Sequence, residues 1–418
     1  VIPPDASLQS SLAAHFAGHI PTRLGVAVSG GSDSLALLHL LHGWSLVGGP
    51  TPAAVTVDHG LRPSSAQEAA DVAQICARLA IPHDTVQWQG WDGSGNLPDH
   101  ARRARYALLT DWARANDLHD IAIGHTQDDV AETFLMRLAR GAGVDGLAAM
   151  RPRWTQSGVT FHRPLLDLSR EALRDHLRTL GQSWIDDPTN DDTTYLRPRA
   201  RQSLTALAPM GLGAATLADV ARTLSGVRTA LDHATLTAAR ALLQVQSGDI
   251  LIDHPGFNDL PEEIARRLMQ AMLQWLAGEE YPPRGSALAS FIKAARDGHT
   301  MPLHGCLLLP PKNGQLRLTR EYAAVKGLRA PVNTLWDNRW QATGPASPGV
   351  EIAALGPNGL QACPDWRLSG LPHASALCAP GLWQGDTLIA APLMGHPNGW
   401  ALILKPEQDN LLMSILCH

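Results

Sequence analysis

The segment Ser29-Gly30-Gly31-Ser32-Asp33-Ser34 lies between an apolar run, Leu24–Val28, and a second run with Leu35, Leu38 and Leu41 at helical spacing. A buried strand, a glycine turn and a helix in that order open a parallel α/β layer, because a parallel neighbour needs a helical crossover. The following residues keep the alternation. Ala53–Val57 reads as a second strand, ending at Asp58-His59-Gly60, and the stretch from Ser65 reads as a helix with Ser65 and Glu68 spaced as a capping box. Thr85–Gln89 reads as a third strand and Pro98–Asn116 as an arginine-rich helix. Ile121–Ile123 reads as a short strand before Gly124-His125, and Asp128–Arg140 as another helix. The expected fold class is therefore α/β, a doubly wound parallel sheet in the N-terminal part. Ligands of such sheets sit at the carboxyl ends of the strands. Ser29–Ser34, Asp58–Arg62 and Gly124–Asp129 all fall there.

Beyond Gly141 the pattern changes. Leu217–Leu243, Pro261–Leu276 and Ala287–Arg296 read as helices, and Asn313-Gly314 reads as a hairpin turn. From about Ala330 the chain is rich in Pro and Gly, with short strand-like runs and several tryptophans. The expected division is a catalytic domain over 1–208, a helical domain over 209–329 and a small mixed α/β or β-rich domain over 330–418.

The glycine turn is suited to an anion. Its backbone N–H groups and the following helix N-terminus point at one place, and Gly30 and Gly31 permit close approach. The hydroxyls of Ser29, Ser32 and Ser34 can donate to phosphate. A Walker-type loop would end in lysine, but the lysines are Lys293, Lys312, Lys326 and Lys405, none of them near this turn. Asp33 beside a phosphate either binds Mg²⁺ or caps the helix. Arg102 and Arg105 share one helix face, either a solvated surface or a phosphate contact. Asp129 and Glu132 also share a face, near a helix N-terminus, where two carboxylates can bind Mg²⁺ or a cationic amine, or simply cap the helix.

Composition excludes some classes. A net charge of −5 rules out a uniformly basic nucleic-acid coat but not local basic patches. The five cysteines, Cys76, Cys306, Cys363, Cys378 and Cys417, form no C-x-x-C, which suits a reducing compartment and argues against a zinc knuckle. The opening VIPPDASLQS has no basic region followed by an apolar core, and no apolar run is long enough for a membrane span, so a cytoplasmic location is expected.

Several motifs in order carry a resemblance. SGGSDS resembles the pyrophosphate loop of the N-type ATP pyrophosphatases (the PP-loop superfamily). Val57–Ser65, VDHGLRPSS, resembles the D/N-H-x-L-R segment of that superfamily's tRNA(Ile)-lysidine synthases. In GNLPDHARRARYALL, Ala101, Arg102, Arg105 and Tyr106 match an A-A-R-x-x-R-Y helix, while Pro98, Asp99 and His100 depart from it. GHTQDDVAETFLMRLARGAGVDGLAAM resembles the family's G-H-x-x-D-D-x-x-E-T segment over its whole length. FHRPLL matches an R-P-L-L stretch. Asp187, Pro188, Asn190, Asp192, Tyr195, Arg197 and Arg201 match a D-P-S/T-N-x-D-x-x-Y-x-R-x-x-x-R tail. The resemblance covers roughly the first half of the chain.

The resemblance implies a ligase that uses ATP and Mg²⁺ to join free L-lysine to C2 of the wobble cytidine in the CAU-anticodon isoleucine tRNA, releasing AMP and pyrophosphate. It implies ATP contacts from Ser29, Gly30, Gly31, Ser32, Asp33, Ser34, His59, Arg62, Gly124 and His125, with Asp33 a candidate metal contact. Asp129 and Glu132 become candidates for the lysine amine. Arg102 and Arg105 become candidates for the α-phosphate, so the catalytic set is Asp33, Arg102, Arg105, Asp129 and Glu132. Arg137, Arg140, Arg163, Arg197 and Arg201 become candidates for tRNA phosphates. Two alternatives stand beside it: a tRNA 2-thiolation enzyme of the same superfamily, and a tRNA-binding protein with a vestigial nucleotide site.

Overall fold

The structure, a computed structural model, describes residues 6–60, 64–89, 97–186, 194, 196–279, 283–345, 348–405, 411–413 and 415. The chain divides into two compact units, Val1–Arg228 and Thr229–His418.

The first unit begins with α1 (Ala6–His15), then β1 (Arg23–Ala27), α2 (Ser32–Ser45), β2 (Thr51–Asp58), α3 (Ser65–Arg78), β3 (His83–Gln87), α4 (Leu97–Ala115) and β4 (Asp120–Ile123). It continues with α5 (Gln127–Leu138), α6 (Val144–Leu147), β5 (Arg153–Gln156), β6 (Val159–His162), α7 (Arg170–Thr179) and α8 (Leu196–Leu207). The strands form one sheet in the order β3-β2-β1-β4-β6-β5, parallel except for the edge strand β5. Chain order reverses between β1 and β4, which opens a crevice at their carboxyl ends.

Side chains alternate across β1. Leu24, Val26 and Val28 join the core shared with α1, α2, α3 and α7, while Ala27 joins the opposite core with Leu109, Trp112 and Ala113 of α4. The leucine spacing of α2 suggested one apolar face. In the structure Ala36, Leu37 and Leu40 are buried as fully as Leu35, Leu38 and Leu41. Packing partners surround α2, so it is an interior helix. Each fully buried leucine contributes about 1.5–3 kcal/mol, which fixes the helix that carries the glycine turn. A third core joins α5 and α8 to the start of α9 (Ala214–Leu242).

The capping box expected at Ser65 is absent. The helix starts one residue earlier than that box requires, with Ser64 as N-cap, and the Ser64 hydroxyl donates to Glu68 Oε1 at 2.9 Å.

In the second unit β7 (Leu243–Gln246), β8 (Asp249–Asp253), β9 (Met301–Leu303), β10 (Cys306–Lys312) and β11 (Gln315–Arg320) form an antiparallel sheet in the order β7-β8-β11-β10-β9. It packs on α10 (His254–Asn258), α11 (Glu262–Ala277) and α12 (Gly285–Asp297). Asn313 and Gly314 join β10 to β11 with φ of 53° and 77°, the two positive values a type I′ turn needs. β12 (Arg329–Pro331), β14 (Val350–Ala354), β15 (Pro380–Gln384) and β16 (Thr387–Ala390) form a four-stranded antiparallel sheet, and β13 (Trp340–Thr343) pairs with β17 (Ala401–Leu404). The tryptophans of this unit are core residues. Trp275, Trp336, Trp340, Trp366, Trp383 and Trp400 are all buried. Among the described residues no single helix is long and apolar enough to cross a membrane.

Candidate active site

The glycine turn follows β1 directly. Gly31 is the N-cap of α2 and Gly30 has φ +82°, a value that L side chains rarely adopt. Ser34 Oγ donates to Gly31 O at 3.0 Å and accepts from the Ser29 N–H at 3.1 Å; Ser29 Oγ lies 3.2 Å from it. The Ser34 hydroxyl therefore holds the turn in shape. Gly124, at the end of β4, makes the crevice narrow: a Cβ there would meet Asp33 C, Asp33 O and Ser34 N, each at 3.0 Å. The N-terminus of α2 thus touches the backbone after β4, which brings two of the expected sites together.

Asp33 does not cap α2, since Gly31 holds that position. Its carboxylate accepts from the Ser32 hydroxyl at 3.1 Å and from Arg170 Nε at 3.0 Å. Asp129 and Glu132, from the first turns of α5, meet the same guanidinium, with Arg170 Nη2 to Asp129 Oδ1 at 3.4 Å and Arg170 Nη1 to Glu132 Oε1 at 3.2 Å. Three carboxylates thus converge on one arginine. The other Asp129 oxygen accepts from the Thr126 N–H at 2.9 Å and hydroxyl at 3.0 Å, which completes a capping box. Glu132 Oε1 also accepts from Arg201 Nε at 2.6 Å, while Oε2 is buried with no hydrogen-bond partner among the described residues.

The electrostatics follow from this geometry. Burial pushes Asp33 above the usual carboxylate range, against the pull of Arg170. Burial also opposes ionisation of Asp129, but Arg170 and the Thr126 N–H outweigh it and hold its pKa low. For Arg170 burial disfavours the charge, and the three carboxylates more than offset it.

On the other side of Asp129 the charge changes sign. His125 Nδ1 accepts from Arg163 Nε at 3.2 Å. Burial first, then Arg163, Arg105 and Arg197, push His125 down to about 3 despite Asp129. It is a neutral ring whose proton is on Nε2. Arg163 donates to Arg151 O at 2.7 Å and lies 4.0 Å over the Trp154 ring. Its guanidinium is buried and committed to these contacts rather than offered to tRNA. Arg105 is pulled below the ordinary arginine value by burial and by Arg197 and Arg102; Arg137 likewise by burial, Arg102 and Arg228. Among the described residues Arg102, Arg105, Arg137, Arg140, Arg163 and Arg197 have no carboxylate partner in ion-pair range. Arg102, Arg137, Arg140 and Arg197 are exposed. Mutually repelling arginines without counterions form a ready site for a polyanion.

His59 also faces Arg105. Burial and that arginine lower its pKa, its ring meets Trp88 edge-on at 5.6 Å, and Nδ1 is buried without a hydrogen-bond partner among the described residues. Arg62, Asp187, Pro188, Asn190, Asp192 and Tyr195 lie outside the described residues.

Sequence reading missed Arg170. Ser169 is the N-cap of α7, with its Oγ accepting from the Ala172 N–H at 3.2 Å; that local signal marks a helix start, but the entry of the arginine at the next position into the crevice between α2 and α5 depends on the fold. No group of three His, Cys, Asp or Glu among the described residues is arranged to hold a metal. The Asp33 carboxylate, half of it turned to Arg170, fits a single contact to a metal that arrives with a phosphate.

A crevice at a strand-order reversal, lined by a lysine-free glycine turn, defines an ATP-binding PP-loop protein, and the PP-loop domain family matches residues 4–208. The chain is similar to a tRNA(Ile)-lysidine synthase of Ruegeria pomeroyi, 49% identical over 98% of both chains. A tRNA(Ile)-lysidine synthase of Hyphomonas neptunium is 39% identical, over 73% of this chain and 83% of that one. The chain therefore belongs to the tRNA(Ile)-lysidine synthases, and is a ligase. Among solved structures it is similar to the U34-tRNA thiolase NcsA from Methanococcus maripaludis with its 4Fe-4S cluster. That likeness is at 16% identity and a TM-score of 0.46, over 53% of this chain and 77% of that one.

Proposed function

We propose that this chain joins free L-lysine to C2 of the wobble cytidine in the CAU-anticodon isoleucine tRNA, in two steps at the crevice between β1 and β4. The observation that carries the reading is the paired electrostatics beside the PP-loop: a carboxylate group that selects a cation, and an arginine group that selects phosphates. The cytosine C2 oxygen is a poor leaving group. Its attack on the ATP α-phosphate expels pyrophosphate and turns that oxygen into part of an AMP leaving group. The lysine ammonium first passes a proton to a carboxylate of the site, its amine then attacks C2, AMP departs, and the attacking nitrogen loses a second proton.

Ser29–Ser34 hold the departing pyrophosphate through backbone N–H groups, with Gly124 and His125 closing the other wall and His59 on the nucleotide side; Arg62 is a further candidate for an ATP contact. Arg102 and Arg105 stabilise charge on the α-phosphate. Asp129 and Glu132 receive the lysine ammonium, Glu132 through its unpartnered Oε2. A free lysine amine has a pKa of about 10.4, so an ammonium is the form that arrives. Asp33 would be the protein contact for a Mg²⁺ bound with ATP, which would supply charge neutralisation. Arg137, Arg140 and Arg197 contact tRNA phosphates, Arg201 orients Glu132, and Arg163 orients His125. The catalytic domain extends over 1–208, and the segments 209–329 and 330–418 assist in gripping tRNA. Acting on tRNA, the enzyme would work in the cytoplasm.

Thiolation is the weaker reading, because a sulfur relay needs a reachable thiolate. Cys76 is fully buried and burial pushes its thiol up to about 11. The test is direct. The chain is incubated with CAU-anticodon tRNA, ATP, Mg²⁺ and radiolabelled lysine. Label enters the tRNA, and AMP and pyrophosphate appear. Formation of ADP, or tight tRNA binding without ATP cleavage, overturns the reading.

A further inference from the structure

We propose that Arg174 supplies the positive charge that the lysine-free PP-loop lacks, by pairing with the β- and γ-phosphates of ATP and then with the pyrophosphate product. The proposal rests on the ATP-cleaving reading of the loop and adds a residue to it. Two cations reach the loop among the described residues, and both come from α7. Arg170 touches Asp33, but its charge is committed to Asp33, Asp129 and Glu132 together. Arg174, one helical turn further on and so on the same face, approaches the loop itself: its Nε lies 3.4 Å from Ser32 Oγ.

Among the described residues little else holds that guanidinium. Its ion pair with Asp186 is long, at 3.4 Å, and Asp186 is 74% exposed. Exposed pairs of this kind are weak and screened by salt. The Trp184 ring lies 5.5 Å from the Arg174 guanidinium carbon and 5.8 Å from that of Arg178. Stacking of this kind fixes the plane of the guanidinium while leaving its N–H edges available. The segment that carries Trp184 is itself tied to the turn. The Ile185 N–H donates to Gly30 O at 2.9 Å, and Ile185 packs where a Cβ on Gly30 would stand. Arg174 is thus positioned by the same contacts that shape the loop. Ser32 Oγ donates to Asp33 while accepting from Arg174, so it places a flat, two-pronged donor at the mouth of the turn. Bidentate pairing with a multiply charged phosphate exceeds what one exposed carboxylate and one hydroxyl offer.

The experiment compares wild type, R174M and R174K, with pyrophosphate as product inhibitor against ATP. In R174M the inhibition constant for pyrophosphate and the KM for ATP both rise about tenfold, the loss of one charge-assisted contact. The KM values for lysine and tRNA hold, and R174K recovers part of the pyrophosphate affinity. An unchanged pyrophosphate constant in R174M overturns the proposal. So does a uniform loss, in which the lysine KM, tRNA KM and melting temperature of both variants move with the ATP KM, because that marks a structural role. If wild type itself makes ADP, the reading of the loop falls and this proposal with it, an outcome distinct from a wild type that makes pyrophosphate and a variant that binds it normally.

Discussion

Replacing Arg170 by Met removes the one group shared by three carboxylates. The guanidinium is 16% exposed and its partners Asp33, Asp129 and Glu132 are 18%, 9% and 1% exposed, so the pairs are largely shielded from water. Removing one partner of such a buried pair costs about 3–5 kcal/mol. Arg201 still serves Glu132, which puts the expected loss at the lower end, about 3 kcal/mol at pH 8. For a unit of this size that lowers the melting temperature by roughly 6–12 °C. The sign of the pH dependence follows from the carboxylates. Asp33 already sits above its ordinary value because of burial, and Asp129 is held low chiefly by Arg170. Without the arginine both rise. A carboxylate raised in the folded state favours folding below its unfolded pKa and loses that contribution as pH rises through the folded value. The gap between wild type and R170M is therefore widest at pH 8 and narrows toward pH 5. Calorimetric melting of both proteins at the two pH values is the assay. A gap that is equal at both, or below about 1 °C at pH 8, refutes the claim that Arg170 is the shared counterion.

Asp129→Asn keeps an oxygen that can accept from the Thr126 N–H, so the cap of α5 survives while the charge is lost; kcat/KM for lysine should fall roughly 10–100-fold, with a smaller loss of melting temperature than in R170M because Arg170 keeps Asp33 and Glu132, and near-normal turnover would remove Asp129 from the site. Arg137→Gln should lower the slope of log tRNA affinity against log salt by about one with little loss of melting temperature in the free protein, because Arg102 and Arg228 repel Arg137; filter binding across a salt series reads both the slope and the affinity. Burial holds His125 at about 3 and His15 and His39 at about 4. These rings stay neutral in the folded chain and take protons on unfolding below about 6.5, so stability falls as pH drops from 6.5 toward 4. His125→Gln should flatten that fall, and melting curves that keep the wild-type slope would contradict it.

The sheet was legible because its signals are local. An apolar run, a glycine turn and a helical repeat each need only a few neighbouring residues, and strand ends mark the crevice without knowledge of the rest. Asn313-Gly314 was legible for the same reason. The crevice's charge balance was not. Arg170 meets Asp33 across 137 residues and Asp129 across 41, and no local period encodes that encounter. The same limit hid the fate of Arg163. Its basic character suggested a phosphate, while the fold encloses it between Trp154, His125 and Arg151 O. Likewise the tryptophans of the second unit carry no mark in the sequence that tells a core ring from a stacking platform. Burial decided it. Asp33 shows both limits at once: its place beside the turn was legible, but its partner came from a helix far along the chain.

The central claim is that ATP is cleaved between its α- and β-phosphates to activate the tRNA itself. ATP labelled at the α-phosphate, incubated with the enzyme, Mg²⁺ and CAU-anticodon tRNA but no lysine, tests it most directly. The account predicts pyrophosphate release with label carried on the tRNA, and conversion of that label to free AMP when lysine is added. Label that never joins the tRNA while ATP is turned over to ADP would contradict it.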